Sequence, residues 1–254
     1  MTTDPETASQ PRDEAFWARA IGALKVRTMP VEALNLNVQG RHLVGPLQGF
    51  GPLYHKRYRV RLVGVALSPE SVIQTWRQNF ASFWPQGNHF FAPLSGIAPG
   101  EVAVLNIASP VGVKMSTGIL VIYSDETCFT FMNPQGHMFA GMITFSAYEE
   151  NGVTVAQVEP LLRSNDPFWE VMMRIYGFKR EDWFWHQTLT ALARFFGAQA
   201  EVEFAEECLD PRYQWAEAKN IWHNAAIRSG LYTIMVRPVQ RLARRVSRHP
   251  VRRN

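Results

Sequence analysis

Residues 139–160 read FAGMITFSAYEENGVTVAQVEP. Two alternating runs meet at Asn151-Gly152, a dipeptide suited to a type I′ turn because both central positions of that turn need positive φ. Folded about it, the segment is an antiparallel hairpin in which Ala147 faces Ala156, Phe145 faces Val158 and Ile143 faces Pro160. Those six share one face, and Thr144, Ser146, Tyr148, Gln157 and Glu159 share the other. One side is core and one is wet, as an antiparallel sheet requires. Just upstream, Asp125-Glu126 taken as a second two-residue loop pairs Ile122 with Phe129 and Leu120 with Phe131, which predicts another wholly apolar face.

Outward from the hairpins the period keeps changing. Arg57, Arg59 and Arg61 alternate with Tyr58, Val60 and Leu62, a half-exposed strand that runs on through Val65 and Leu67. Ser68-Pro69-Glu70 then supplies an N-cap, a proline for the first helical position and an acid for the positive helix end. Val72, Ile73, Trp76 and Phe80 give that helix a buried stripe. Strand-like segments follow at 88–92 and 101–107. Beyond Ser164 the pattern is helical: DPFWEVMMRIYGF, then a longer run from about Glu181 to Phe196 with Trp185, Leu189, Leu192 and Phe196 on one stripe. So apolar a helix needs a cover, and the apolar sheet face is its partner. The expected fold is α+β, a curved antiparallel sheet gripping a long C-terminal helix.

Three regions follow from this pass. Residues 1–56 form an N-terminal extension, with Phe16, Trp17, Ala20, Ile21 and Leu24 predicting a short amphipathic helix around 13–25 before a Gly- and Pro-containing loop stretch. Residues 57–198 form the sheet-and-helix domain. Residues 199–254 form a C-terminal extension with a strand-like VEF, a helical segment around Arg212–Arg228 and an arginine-rich end.

The strand YRVRLVGVALSPESVIQTW entering a Pro-started helix, the hairpins around Asp125 and Asn151, and the segment NPQGHMFAGMITFSAYEENG together resemble the START-like (SRPBCC) helix-grip superfamily, which includes polyketide cyclases and carriers of the birch-pollen-allergen type. Over about residues 57–198 the likeness is to an uncharacterised bacterial branch. It implies a seven-stranded antiparallel sheet curled around the long helix, with a hydrophobic cavity between them.

Composition agrees with a globular chain: 254 residues, 46% hydrophobic, 12% aromatic and 19% charged. Cys128 and Cys208 stand far apart and outside any metal-ligand spacing, which excludes a disulfide framework or zinc ribbon and makes a reducing cytoplasm the expected location. The polar start MTTDPETASQPRDE lacks the apolar run of a secretory signal, and apolar stretches such as Gly118–Tyr123 are too short to span a bilayer. Seven arginines and no acid lie in residues 237–254; taking them from the 26 basic residues leaves 19 against 22 acidic ones, so the rest of the chain is mildly acidic. If helical, that segment gathers Arg241, Arg244, Arg245 and Arg248 beside a strip of Val239, Leu242 and Val246, a shape suited to an anionic membrane surface. Nucleic acid is the less expected partner.

Nucleotide, metalloprotease and serine-hydrolase motifs are missing. None of the seven histidines stands three to five residues from another His or a Cys, so neither a metal nor a cofactor is expected. The aromatic load points instead to a ligand pocket. Its expected wall is Leu120, Ile122, Phe129, Phe131, Ile143, Phe145 and Val158 from the sheet, Trp76 and Phe91 beside it, and Trp185 and His186 from the helix. His137, in the turn Asn133-Pro134-Gln135-Gly136-His137, is the candidate catalytic base, with a turn histidine bonded to backbone or solvent as the plain alternative. Three functions stay open: carriage or sensing of a hydrophobic small molecule, a cyclase- or dehydratase-like reaction in the same cavity, and membrane association through the basic end.

Overall fold

Period-two alternation and turn residues produce one sheet. A computed structural model describes residues 14–27, 33, 35–108 and 114–236 of the chain. Its strands are β1 (Leu53–Arg61), β2 (His89–Phe91), β3 (Val102–Ala108), β4 (Lys114–Ser124), β5 (Cys128–Met132), β6 (Phe139–Glu150), β7 (Val153–Ser164) and β8 (Val202–Asp210). All neighbours are antiparallel, in the order β2-β3-β4-β5-β6-β7-β1-β8. The β6–β7 hairpin has the expected register, Ile143 opposite Pro160, Phe145 opposite Val158 and Ala147 opposite Ala156. Its turn holds Asn151 at φ 52° and Gly152 at φ 75°, the left-handed pair a type I′ turn needs.

Three helices cover the concave face or its end. Helix α1 (Pro69–Gln78) is N-capped by Ser68, whose hydroxyl accepts from the Ser71 N–H, and buries Val72, Ile73 and Trp76. Helix α2 (Pro167–Met172) is capped by Asp166, whose carboxylate accepts from the Trp169 N–H. It runs through a π-helical turn, Met173–Gly177, into α3 (Phe178–Phe195). On α3, Leu189 and Leu192 are fully buried in the cluster that contains Trp76, Phe129 and Phe145. A fourth helix, α4 (Ala225–Leu231), is capped by the Asn224 side chain, which accepts from the N–H groups of Ala226 and Ile227. No helix among the described residues is long and apolar enough to cross a membrane.

Three expectations are corrected. The sheet has eight strands and not seven, because β8 runs along β1 from Val60 opposite Val202 to Leu53 opposite Asp210. This edge strand is nearly all exposed and acidic, which suits a sheet edge; Glu203 and Glu206 pair with Arg59 and Lys56 of β1. Strand β1 thus begins before position 57, and β8 lies beyond position 198. Residues 14–27 hold a 3₁₀ turn, Glu14–Phe16, followed by irregular chain with Trp17 bridged to Tyr123, in place of an amphipathic helix. Finally, the β4–β5 turn is displaced: the Asp125 carboxylate accepts from the N–H groups of Thr127 and Cys128, and Ser124 lies opposite Phe129. A bulge between Val121 and Tyr123 then sets Val121 opposite Phe131. One extra residue turns the earlier part of the strand over. Leu120 and Ile122 consequently face away from the helix, packed with Leu24 and Val38 of the N-terminal extension.

Candidate functional site

Between the concave face, the α2–α3 arm and α4 lies a cavity of about 830 Å³. Strand alternation sends Leu105, Ile107, Ile119, Phe131, Ile143 and Phe145 into it from the sheet. Phe168, Met172, Tyr176, Phe184 and Trp185 come from the arm, and Ile227, Leu231 and Ile234 from α4 and the turn after it. The π-helical turn contributes Met173, Tyr176 and Gly177 to the wall, and such turns recur at functional sites.

Of the expected pocket residues, Phe131, Ile143, Phe145, Trp185 and His137 lie on this wall. Trp76, Phe129 and Val158 belong instead to the solid core beside it. Phe91 is on the other face of its strand, with Leu120 and Ile122, and its neighbour Phe90 takes the inward position. His186 faces the outer flank of α3, against the rings of Tyr58 and Phe204. Sequence reading missed the contributions of α2 and α4. Their signal was an excess of apolar residues, Val171 to Tyr176 and Leu231 to Val236, too dense for one face of a helix. The arginines at 241, 244, 245 and 248 lie outside the described residues.

His137 is held by its turn. Its N–H donates to the Pro134 carbonyl at 3.1 Å, Gln135 N–H donates to His42 O at 2.8 Å, and Ala225 N–H donates to Gly136 O at 2.9 Å. The ring is buried, and its Nδ1 lies 3.1 Å from the Phe139 N–H and 3.3 Å from the Phe139 carbonyl oxygen; accepting the shorter contact leaves the proton of the neutral ring on Nε2. Burial pushes the imidazole down to about 4. At neutral pH this side chain is uncharged, with its Nδ1 engaged by the Phe139 backbone. The unfolded histidine titrates near 6.5. The stabilisation from keeping it neutral is therefore complete above that pH and is lost as pH falls from 6.5 to 4, about 3 kcal/mol in all. His137→Asn, whose Oδ1 replaces Nδ1 as acceptor, should flatten this part of the profile. Urea unfolding midpoints at neutral and acid pH test it, and equal slopes for both proteins would refute the assignment.

A buried charged cluster anchors the start of α3. Lys56 on β1 is fully buried, and its Nζ donates to Glu181 Oε2 at 3.1 Å and to Asp182 Oδ1 at 2.9 Å. Tyr58 donates its hydroxyl to the same Asp182 oxygen at 2.6 Å. Glu181 also lines the cavity, and its Oε1 is buried with no partner among the described residues, as are the indole N–H groups of Trp84 and Trp169 on the same wall. Burial pushes the Glu181 carboxyl up, against the pull of Lys56. Among the described residues no cluster of His, Cys, Asp or Glu has the makings of a metal site.

No family model matches this sequence, and no curated protein does. Among solved structures, the chain is similar to protein Ms6760 from Mycobacterium smegmatis, at 11% identity over 58% of this chain and 93% of that one, with a TM-score of 0.41. Another is the di-domain ARO/CYC StfQ from the steffimycin biosynthetic pathway, at 9% identity and a TM-score of 0.45; the match covers 57% of this chain and spans half of that one. A START superfamily protein from Mycobacterium smegmatis aligns at 18% identity over 56% of this chain and 97% of that one, with a TM-score of 0.38. The topology itself is one curved antiparallel sheet closed on a long helix with a cavity between them, a helix-grip arrangement.

Proposed function

We propose that the protein binds a lipid-like or other hydrophobic small molecule in this cavity, as a carrier or sensor. One observation carries the reading: a space of about 830 Å³ walled almost entirely by aromatic, aliphatic and methionine side chains. Pockets for small organic ligands run to roughly 300–1,000 Å³ and combine such walls with a few placed polar groups. Here the polar groups include the neutral His137 and Asn133, which suit a largely apolar molecule with one or two hydrogen-bonding atoms.

Native mass spectrometry of the purified protein, followed by denaturing extraction, tests the reading. A stoichiometric hydrophobic adduct is expected. An empty protein whose melting temperature is unmoved by fatty acids and polycyclic aromatics would overturn it, since a ligand that binds only the folded state must raise stability. Gly230 offers a sharper check. It lies in α4 on the cavity wall, and a Cβ there meets nothing within 4 Å. Gly230→Trp should fill the opening and lower ligand uptake at least about tenfold. Its stability should hold or rise by about 0.5–1 kcal/mol, the usual cost of glycine inside a helix. Normal uptake by this variant would place the ligand elsewhere.

The position of His137 on the wall favours a second reading, a cyclase- or dehydratase-like reaction in which its Nε2–H polarises a carbonyl oxygen of the bound molecule. Under that reading His137→Asn keeps uptake and loses turnover.

A further inference from the structure

The cavity opens through a rim unlike the rest of the surface. Met172, Tyr176, Ile227, Leu231 and Ile234 line the cavity and yet are 36%, 43%, 40%, 54% and 73% exposed. Val171, Ile175 and Met235 extend the same apolar collar outward. A collar of this kind marks an interaction surface, because soluble monomers seldom leave contiguous apolar patches bare. Its charges are mostly positive: residues 171–180 and 225–236 contain Arg174, Lys179, Arg180 and Arg228, of which Arg174 pairs with Glu170 just before them, and Glu181 follows on the cavity wall. Beyond Val236 the chain continues into 237–254, with seven further arginines and no acid, whereas the remainder of the molecule carries an excess of acids.

We propose that this mouth docks on an anionic lipid bilayer, so that ligand passes between cavity and membrane without crossing water. Aliphatic side chains at the rim match the acyl boundary, and the arginines and lysine around them match lipid phosphates, each adding to affinity near a charged surface. Among the described residues three features coincide at one place: the collar, the positive charges of Lys179, Arg180 and Arg228, and the entrance to an apolar space. A nucleic acid accounts for the charge but not for a collar of isoleucine, leucine and methionine.

Docking is testable without knowing the ligand. The full chain is sedimented with vesicles of phosphatidylcholine alone, or with about one third phosphatidylglycerol, at low and high salt. Binding to the anionic vesicles is expected, weakening as salt rises. Ile175→Glu with Ile234→Glu, both exposed in the wild type, should cut binding at least about tenfold with an unchanged melting temperature. Replacing Arg241, Arg244, Arg245 and Arg248 with glutamine should cost on the order of a hundredfold at low salt. Failure of the full chain to bind anionic vesicles overturns the proposal. So does binding that the paired glutamates leave intact, which would make the arginine segment act alone. Preference for a single-stranded RNA over the vesicles overturns it in favour of a nucleic-acid partner. Ligand uptake in vesicle-free solution, measured on the same proteins, separates any such failure from a failure of the cavity reading.

Discussion

Replacing Lys56 with methionine is expected to destabilise the protein by about 3–5 kcal/mol, the range seen when one partner of a buried ion pair is removed. Lys56 has no solvent exposure, and Glu181, Asp182 and Glu206 all approach its Nζ within 3.2 Å. Burial alone would lower the ammonium, but the contacts with Glu181 and Asp182 outweigh it and hold the group charged, above its ordinary range. The ammonium also sits 4.9 Å over the ring of Phe178, the first residue of α3. Methionine keeps most of the volume and none of the charge. Glu181, already raised by burial and with one oxygen unpartnered, would then have to take up a proton or stay ionised without a cation. Chemical denaturation measures the loss. Adding Glu181→Gln should recover part of it, because that variant leaves less charge unpaired. A loss under about 1 kcal/mol would mean that the cluster is far better hydrated than its burial implies. Since Gly177, Glu181, Phe184 and Trp185 all lie on the cavity wall, loosening this anchor should weaken ligand uptake as well.

The parts of this arrangement that were legible in the sequence are those decided locally. At Asn151-Gly152 the turn and the alternation agree, so the register and the inward direction of Ile143 and Phe145 follow from neighbouring residues alone. At Asp125 they compete: the carboxylate takes two backbone N–H groups and moves the turn, and the bulge at Val121 to Tyr123 exchanges the faces of Leu120 and Ile122. Alternation at His89–Phe91 fixes a period but not a phase, which is why Phe90 and not Phe91 faces the cavity. His186 stands 100° around the helix from Trp185, and only the packing of Tyr58 and Phe204 decides which of the two looks inward. No local rule reaches the wall built by α4. It depends on a contact between Gly136 and Ala225, two segments with β6, β7, α2, α3 and β8 between them in sequence.

That contact makes Gly136→Ala the most direct assault on the site, with an expected cost of about 2–5 kcal/mol, part backbone strain and part overpacking. Gly136 has φ +85°, and a Cβ on it would lie 1.9 Å from the His223 carbonyl oxygen and 2.8 Å from its carbon. These are backbone atoms and cannot rotate aside. The segment is pinned there twice over, since Ala225 N–H donates to Gly136 O and the Asn224 amide donates to Asp166, the cap of α2. The alanine must therefore lift residues 223–225, and with them α4, off the β5–β6 turn. Gly100 provides the matched control, with the same φ of +85° and nothing within 4 Å of its Cβ position, so Gly100→Ala carries the backbone strain alone. The difference between the two variants in urea unfolding isolates the docking of α4. Faster proteolysis within 223–236 and weaker ligand uptake should accompany it in Gly136→Ala only, because α4 and the turn after it supply Ile227, Leu231 and Ile234 to the wall. Equal costs for the two alanines, with uptake intact, would show that α4 is no wall of the cavity in solution, and the mouth proposed as the membrane-facing surface would lose one of its two sides.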